Sequence, residues 1–518
     1  MTQIVYLPLD ERPCNLQYPQ HLADMTDLQL SVPDTALLGD KKKPADVPAL
    51  HAWLRNAVTG ADYLIASIDM LIYGGIVPSR LHALTFEECV ERLDLLRAIK
   101  AQYPGIRIHA FNLIMRVPSM STSEEEPDYY ADYGSDIFKY GWLTDKAERG
   151  ELAGEDQAEL DALIRHIPED VLNDFVSRRA VNAKVNRYVI ALMEEGVIDN
   201  LIIPLDDNSQ YGFSPKEQRA LIVSVQEANL FDRIMIYPGA DEIGCILFTK
   251  VFCEVKQYIP EVFVRYSSTT GPLMKPKYED RSLQESIKSH LTAAGAVMAD
   301  NSVETDVVLM VNAPPAEQRL MSEQGPFANR SRAYFSEIHY REFSEAIKHY
   351  LRKGKLVGLG DVAICNGSDV VLLNLLGKLG LLDQLTAYAG WNTSGNTLGT
   401  VISHLIVVSY YERHAEEADK AKAHAVSRAY YYKRLIEDWG YMSIIRQETV
   451  REVLPALGAS YYNLYHVREE LYRILTDKLN TFAAEKIGAV REGTLTVENV
   501  FLPWKRMFEV GFDVKIGQ

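Results

Sequence analysis

Short apolar, β-branched runs recur along the chain, each closing in a polar cluster and most followed by a segment of helical period. They are IVYLPLD (4–10), YLIASID (63–69), IRIHAFNLIMR (106–116), NLIIPLDD (200–207), RIMIYPGADE (233–242), VFVRYSSTTG (262–271), DVVLMVNAPP (306–315) and KLVGLGDVAICNG (355–367). Alternation of strand and helix predicts a parallel sheet. Eight such strands predict an α/β architecture, a (β/α)8-like barrel over residues 1–380 that would be the catalytic domain. Two further runs, LQLSVPD (28–34) and LTAYAGWN (385–392), do not fit that count and support an alternative of two doubly wound α/β domains.

The helices carry start signals. Thr85 with Glu88, Ser214 with Glu217 and Ser282 with Glu285 match capping boxes, and Pro215 suits a first helical turn. Phe86, Val90, Leu93 and Leu96 repeat on one face, as a helix packed on a sheet requires. Beyond about residue 395 the strand pattern gives way to long helical stretches, which predicts a mainly helical C-terminal domain over 381–518. That domain is expected to shape the cleft or to form a homodimer contact.

Polar residues gather where the predicted strands end. They are Asp10 and Arg12 after the first, Asp69, Tyr73 and Arg80 after the second, and Arg116 after the third. Asp206, Asp207, Asn208 and Tyr211 follow the fourth, Asp241 and Glu242 the fifth, Asn312 the seventh, and Asp361, Asn366 and Asp369 the eighth. Parallel α/β folds bind ligands at that carboxyl edge. A single aspartate after a strand is commonly a helix cap, and Asp369 is expected to cap VVLLNLLGKLG. The doublet Asp206-Asp207 exceeds what one cap needs. Two carboxylates held close in a partly dry cleft cannot both ionise cheaply, so one keeps its proton and the pair becomes an acid with a charged neighbour. Glycosidic cleavage asks for that combination.

Composition narrows the field. The 518 residues are 47% hydrophobic and 24% charged, as in a globular protein. No run approaches the roughly 20 apolar residues that cross a bilayer, and MTQIVYLPLD has neither a basic start nor a cleavable apolar core. A net charge of −17 argues against nucleic-acid and anionic-membrane partners. Five cysteines without a CxxC pair suggest neither a disulfide framework nor a zinc ribbon, and a cytoplasmic location fits. The run Glu124 to Glu126 is expected to be a solvated loop. Histidines follow neither HxH nor HExxH spacing, glycines follow no nucleotide-binding fingerprint, and no GxSxG elbow occurs. No cofactor and no metal are therefore expected. Gly74 and Gly75 suit a tight turn or the close approach of a ligand, Cys14 a buried thiol. The loop YAGWNTSGNTLGT (388–400) either caps a helix or covers the cleft.

Several of these stretches resemble known families. IIPLDDN resembles the paired-aspartate motif of O-GlcNAc-hydrolase-type N-acetylglucosaminidases and the bacterial hyaluronidases grouped with them, and IYPGADE, TTGP (269–272) and LMVNAPP are similar to that family's later strand-end signals. The likeness covers residues 195–370 in scattered matches, and Met310, Val311 and Asn312 stand where the family has Trp-Asp-Asn. The resemblance implies a retaining exo-N-acetylhexosaminidase working by substrate assistance. Asp206 would orient the acetamido group and Asp207 would act as general acid and then base. It leaves Asp10, Arg12, Asp69, Tyr73, Arg116, Asn208, Tyr211, Asp241, Glu242, Asn312, Asp361, Asn366, Trp391 and Asn392 as expected contacts to a small carbohydrate, with Trp391 or Tyr73 as a floor for the sugar ring. Over its whole length, through PLDERPCN, DMLIYGG, GDVAICNGSD and AGWNTSGNTLG, the chain is similar to an uncharacterised bacterial domain-of-unknown-function family, which implies no activity. Two rival readings stand beside the hydrolase. One is a Mg- or Mn-dependent sugar-phosphate hydrolase or isomerase built on Asp10, Asp69, Asp206, Asp241 and Asp361. The other is a non-catalytic carbohydrate-binding protein.

Overall fold

The structure, a computed structural model, describes residues 1–305, 307–315, 325–488 and 493–517. Each of the eight apolar runs contains a strand, although Asp306, which opens one of them, lies outside the described residues. Among the described residues the strands do not close into one barrel but form two open parallel sheets, which fits the doubly wound alternative.

The first compact unit comprises Met1–Glu11, Leu28–Leu247 and Tyr278–Asp280. Its sheet holds β1 (Gln3–Leu7), β2 (Gln29–Ser31), β3 (Tyr63–Ser67), β4 (Arg107–Phe111), β5 (Asn200–Leu205) and β6 (Ile234–Pro238), in the order β2-β1-β3-β4-β5-β6. The run at 28–34 thus enters as a short edge strand. β1, β3 and β5 are buried almost throughout, as strands covered on both faces must be.

The second unit comprises Arg12–Asp27, Phe248–Lys277 and Arg281–Gln518. Its sheet holds β7 (Glu261–Tyr266), β8 (Val297–Ala299), β9 (Val307–Asn312), β10 (Leu356–Asp361) and β11 (Ala387–Ala389), in the order β11-β10-β9-β7-β8. Counted from the first strand of each sheet, both follow the doubly wound order 2-1-3-4-5, extended by a sixth strand in the first unit. The stretch 381–518, expected as a separate helical domain, shares this unit with β7 to β10. It is helical over Ser394–His414, Glu417–Arg434 and Arg468–Phe482, with a π-helical stretch at Leu435–Ile445, and it ends in an antiparallel hairpin, β12 (Thr494–Phe501) with β13 (Gly511–Gly517). Among the described residues no helix is long and apolar enough to cross a membrane.

Helix starts agree with the sequence in part. Thr85 and Glu88 form the expected reciprocal cap of Phe86–Gln102, whose buried face holds Cys89, Leu93, Leu96 and Ile99, with Phe86 and Val90 only half-buried. Ser214 is not a cap. The helix Phe213–Glu227 begins two residues before the start that a Ser214 cap would set, behind Gly212, and the Ser214 hydroxyl turns inward to donate to the Met115 carbonyl at 2.9 Å. Ser282 precedes Leu283–Ala293 without a side-chain cap bond. Gly74, which ends the helix Ile68–Tyr73, adopts φ +82, and a Cβ there would lie 2.7 Å from the Ala45 backbone nitrogen that donates to its own carbonyl. Gly74→Ala is therefore expected to lower stability by about 1–3 kcal/mol, from left-handed strain and the clash together. A urea melt that leaves the midpoint unmoved would refute this.

Candidate functional site

The pairing of β4 with β5 continues past both strands and sets the geometry of the doublet. Asn112 and Ile114 donate their N–H groups to Ile202 and Pro204, and Asp206 donates its own to Ile114 at 3.3 Å. Residues 114–116 therefore run beside 205–207, which brings Arg116 to Asp207. Asp207 itself takes φ +38, turning the chain out of the pleat.

Two guanidiniums organise the carboxylates there. Arg80, only 2% exposed at the end of the turn Pro78–Arg80, donates to Asp206 at 2.8 Å and to Glu125 and Glu126 at 3.3 Å each. Arg116 donates through Nε to Glu126 at 3.0 Å, through Nη2 to Glu125 at 3.0 Å and through Nη1 to Asp207 at 3.3 Å. Arg179, on the helix Glu169–Glu194, fixes this backbone by donating to the Arg116 carbonyl at 3.1 Å while its other donors clasp Glu217. Burial and the charge of Asp206 push the Asp207 carboxyl up to about 6, against the opposing pull of Arg116 and Arg80. Asp69, in the first turn of the helix Ile68–Tyr73 that follows β3, is likewise lifted to about 6, chiefly by burial, while accepting from Asn112 at 3.2 Å and from the Leu113 N–H at 2.9 Å.

Other expected site residues of this unit lie on the same strand edge or leave it. Asp10, Asp241 and Glu242 are buried just beyond β1 and β6. Asn208 is 4% exposed; its N–H donates to the Tyr278 carbonyl, but neither atom of its side-chain amide meets a partner among the described residues. Tyr73 is a core residue, stacked on His82 at 4.4 Å. Tyr211 turns toward Glu151, to which its hydroxyl donates, and toward the Trp142 ring.

The remaining candidates belong to the second unit, so the expected contacts do not share one strand edge. β9 and β10 place Asn312 opposite Asp361, and the Asn312 amide donates to that carboxyl at 2.9 Å. Burial, then the neighbouring Asp369 charge, lift the Asp361 carboxyl to about 7. Asp369 caps Val370–Lys378 as expected and receives both terminal nitrogens of Arg330. Asn366 and Asn392, both with positive φ, are joined by an N–H to carbonyl bond of 2.8 Å. Trp391 is 1% exposed, edge-on to Tyr18, with its indole N–H on Thr400, so it packs in the core and offers no open ring. The loop around it acts as a cap, Thr393 accepting from the Asn396 N–H. Arg12 lies over Trp504 and pairs with Glu509.

Glu125 and Glu126 of this cluster were not singled out as site residues from the sequence, and Arg80, placed at the strand edge, was not among the expected contacts. The expectation of a solvated acidic run fails at two of its three positions, since the side chain of Glu126 is 1% and that of Glu125 13% exposed. A signal was present in the lysine run Lys41 to Lys43. Lys41 pairs with Glu124 and Lys42 with Asp128, so basic and acidic runs meet.

The chain belongs to the DUF4127 family, described as proteins of unknown function, whose model matches residues 4–513. Comparison with curated proteins finds no match. The whole-chain resemblance thus holds, while the likeness of residues 195–370 to N-acetylhexosaminidases gains no support from the comparisons.

Proposed function

We propose that the Asp206-Asp207 cluster of the first unit hydrolyses a glycosidic bond, with Asp207 as the general acid. The observation that supports this reading is the unequal environment of the two neighbours. The Asp207 carboxyl is held near 6 by burial and by Asp206, within reach of a proton at neutral pH. Asp206 keeps the company of the buried Arg80, and its charge suits an electron-poor anomeric centre. The finer form of the proposal is a retaining reaction on a 2-acetamido sugar. The substrate's acetamido oxygen attacks the anomeric carbon, Asp206 steadies the acetamido N–H, and Asp207 protonates the departing oxygen before drawing a proton from water.

Purified protein assayed on a panel of nitrophenyl glycosides, with and without EDTA, tests the proposal. Turnover confined to 2-acetamido members and indifferent to chelator is expected, with kcat/KM falling as pH rises through about 6, where Asp207 loses its proton. Asp207→Asn should lower kcat on the order of 100-fold or more. Cleavage limited to phosphate esters and abolished by EDTA would replace the proposal with a metal-dependent phosphohydrolase. Carbohydrate affinity without turnover, unchanged in Asp207→Asn, would leave a binding protein.

A further inference from the structure

We infer that Arg80 and Arg116 form a recognition site for a ligand carboxylate, occupied in this structure by Glu125 and Glu126 of the chain itself, so that the ligand of the cluster is a carboxylate-bearing sugar. The inference rests on reading the cluster as a carbohydrate site, not on the 2-acetamido form of that reading, and it adds the class of sugar and the manner of entry.

The four carboxylates around the two guanidiniums are held in different ways. Asp206 and Asp207 follow β5, and the backbone of Asp206 is bonded to that of Ile114. Arg80 ends a 3-10 turn, and the Arg116 backbone is clasped by Arg179. These groups are fixed. Glu125 and Glu126 lie instead between β4 and the helix Tyr130–Glu148, in a stretch (117–129) that forms neither helix nor strand. The Tyr130 hydroxyl donates to Pro118, Ser121 bonds to Ser135, and the acidic run reaches Lys41 and Lys42. The Lys42 pair is exposed, with the Asp128 side chain 99% accessible, and such pairs hold weakly and loosen with salt.

What the segment presents to the arginines is chemically a ligand. Arg116 directs Nε and Nη2 at two different carboxylates, each 3.0 Å away, and the same two donors have the spacing to take both oxygens of a single ligand carboxylate. Exchanging these carboxylates for that of a ligand replaces like with like, so displacement need not leave a buried charge unpaired. With Glu125 and Glu126 in place, two guanidiniums face four carboxyl groups. With both withdrawn, Nη1 of Arg80 and Nε and Nη2 of Arg116 lose these acceptors, and a ligand carboxylate restores them. Asn208 follows the doublet directly in the chain; its side-chain amide is buried and meets no partner among the described residues, and so has a donor and an acceptor to offer to hydroxyls.

Calorimetric titration of the full-length protein with D-glucuronate, with D-glucose and inorganic phosphate as controls, tests the inference without requiring turnover. Glucuronate should bind the native protein, and at least tenfold more tightly the double variant Glu125→Gln, Glu126→Gln, in which the internal competitor has lost its charge. Lys41→Ala with Lys42→Ala, which loosens the segment from outside the cluster, should also raise affinity, and it serves should the first variant fail to fold. Amide exchange at 117–129 should quicken when glucuronate binds. No glucuronate binding in any form, an equal gain for glucose, or preference for phosphate would overturn the inference. Asp207→Asn should keep glucuronate affinity even where hydrolysis is lost, so failure of the hydrolytic reading and failure of this one are seen separately.

Discussion

Arg80→Met is expected to lower the unfolding free energy by about 3–5 kcal/mol, the cost of leaving a buried carboxylate without its partner. Methionine keeps most of the aliphatic bulk, so little cavity forms and the loss is electrostatic. Asp206 loses its 2.8 Å donor, and Glu126, 1% exposed, keeps only Arg116 of its two guanidiniums. Asp207, already lifted to about 6, loses one of the two guanidinium charges that hold it down and rises further above its unfolded value. A folded-state value raised above the unfolded value gives a penalty that grows as pH rises through it. The deficit should therefore be largest near pH 8 and should shrink toward pH 5. Urea melts at the two pH values provide the check. A deficit below about 1 kcal/mol, equal at both, would mean that Arg80 contributes no more than a surface ion pair.

The stranded carboxylates also show which parts of the site could be read from the chain. The doublet was legible because two adjacent charges at the end of NLIIPL demand an explanation within seven or eight residues. Glu125 and Glu126 were not, because their partner Arg80 lies 45 and 46 positions away, and an acidic triplet in a polar stretch is ordinarily solvated. The fold divides in the same way. Apolar runs such as YLIAS and VVLMVN announce themselves as strands buried on both faces, but the uniform burial that makes them visible erases register and neighbour. A strand count of eight therefore suggested closure where the pairing gives two open sheets. The runs at 28–34 and 385–392, which did not fit the barrel, are the short strands beside β1 and β10. Val297–Ala299 is too short to carry a pattern. In Thr494–Phe501 a register shift between Glu498 and Phe501 breaks the alternation, so that the buried Val497 and Val500 stand three apart and carry no strand period.

In the second unit, Asp369→Asn is expected to cost about 3–5 kcal/mol as well, by a route that pH should distinguish. Asp369 has no exposed surface, and its carboxylate accepts from Arg330 at 2.9 and 3.1 Å, from Tyr340 at 2.7 Å, and also from Tyr334. Burial alone would raise its carboxyl, but Arg330 and the two tyrosines outweigh it and hold the group below the usual carboxylate range. An amide of the same shape keeps the helix cap to Val371 yet leaves the Arg330 guanidinium, also fully buried, without a counter-charge. The second consequence falls on Asp361, which stands at about 7 because it is buried and faces the Asp369 charge. Since that value lies above the unfolded one, the folded chain binds the extra proton, and Asp361 makes the native protein lose stability as pH climbs from about 4 to about 7. Removing the Asp369 charge should bring the Asp361 carboxyl down and flatten this decline. The variant should then lie further below the native protein at pH 5 than at pH 8, the reverse of the Arg80 variant. If the two variants instead showed the same trend with pH, the Asp361–Asp369 interaction would not be the cause.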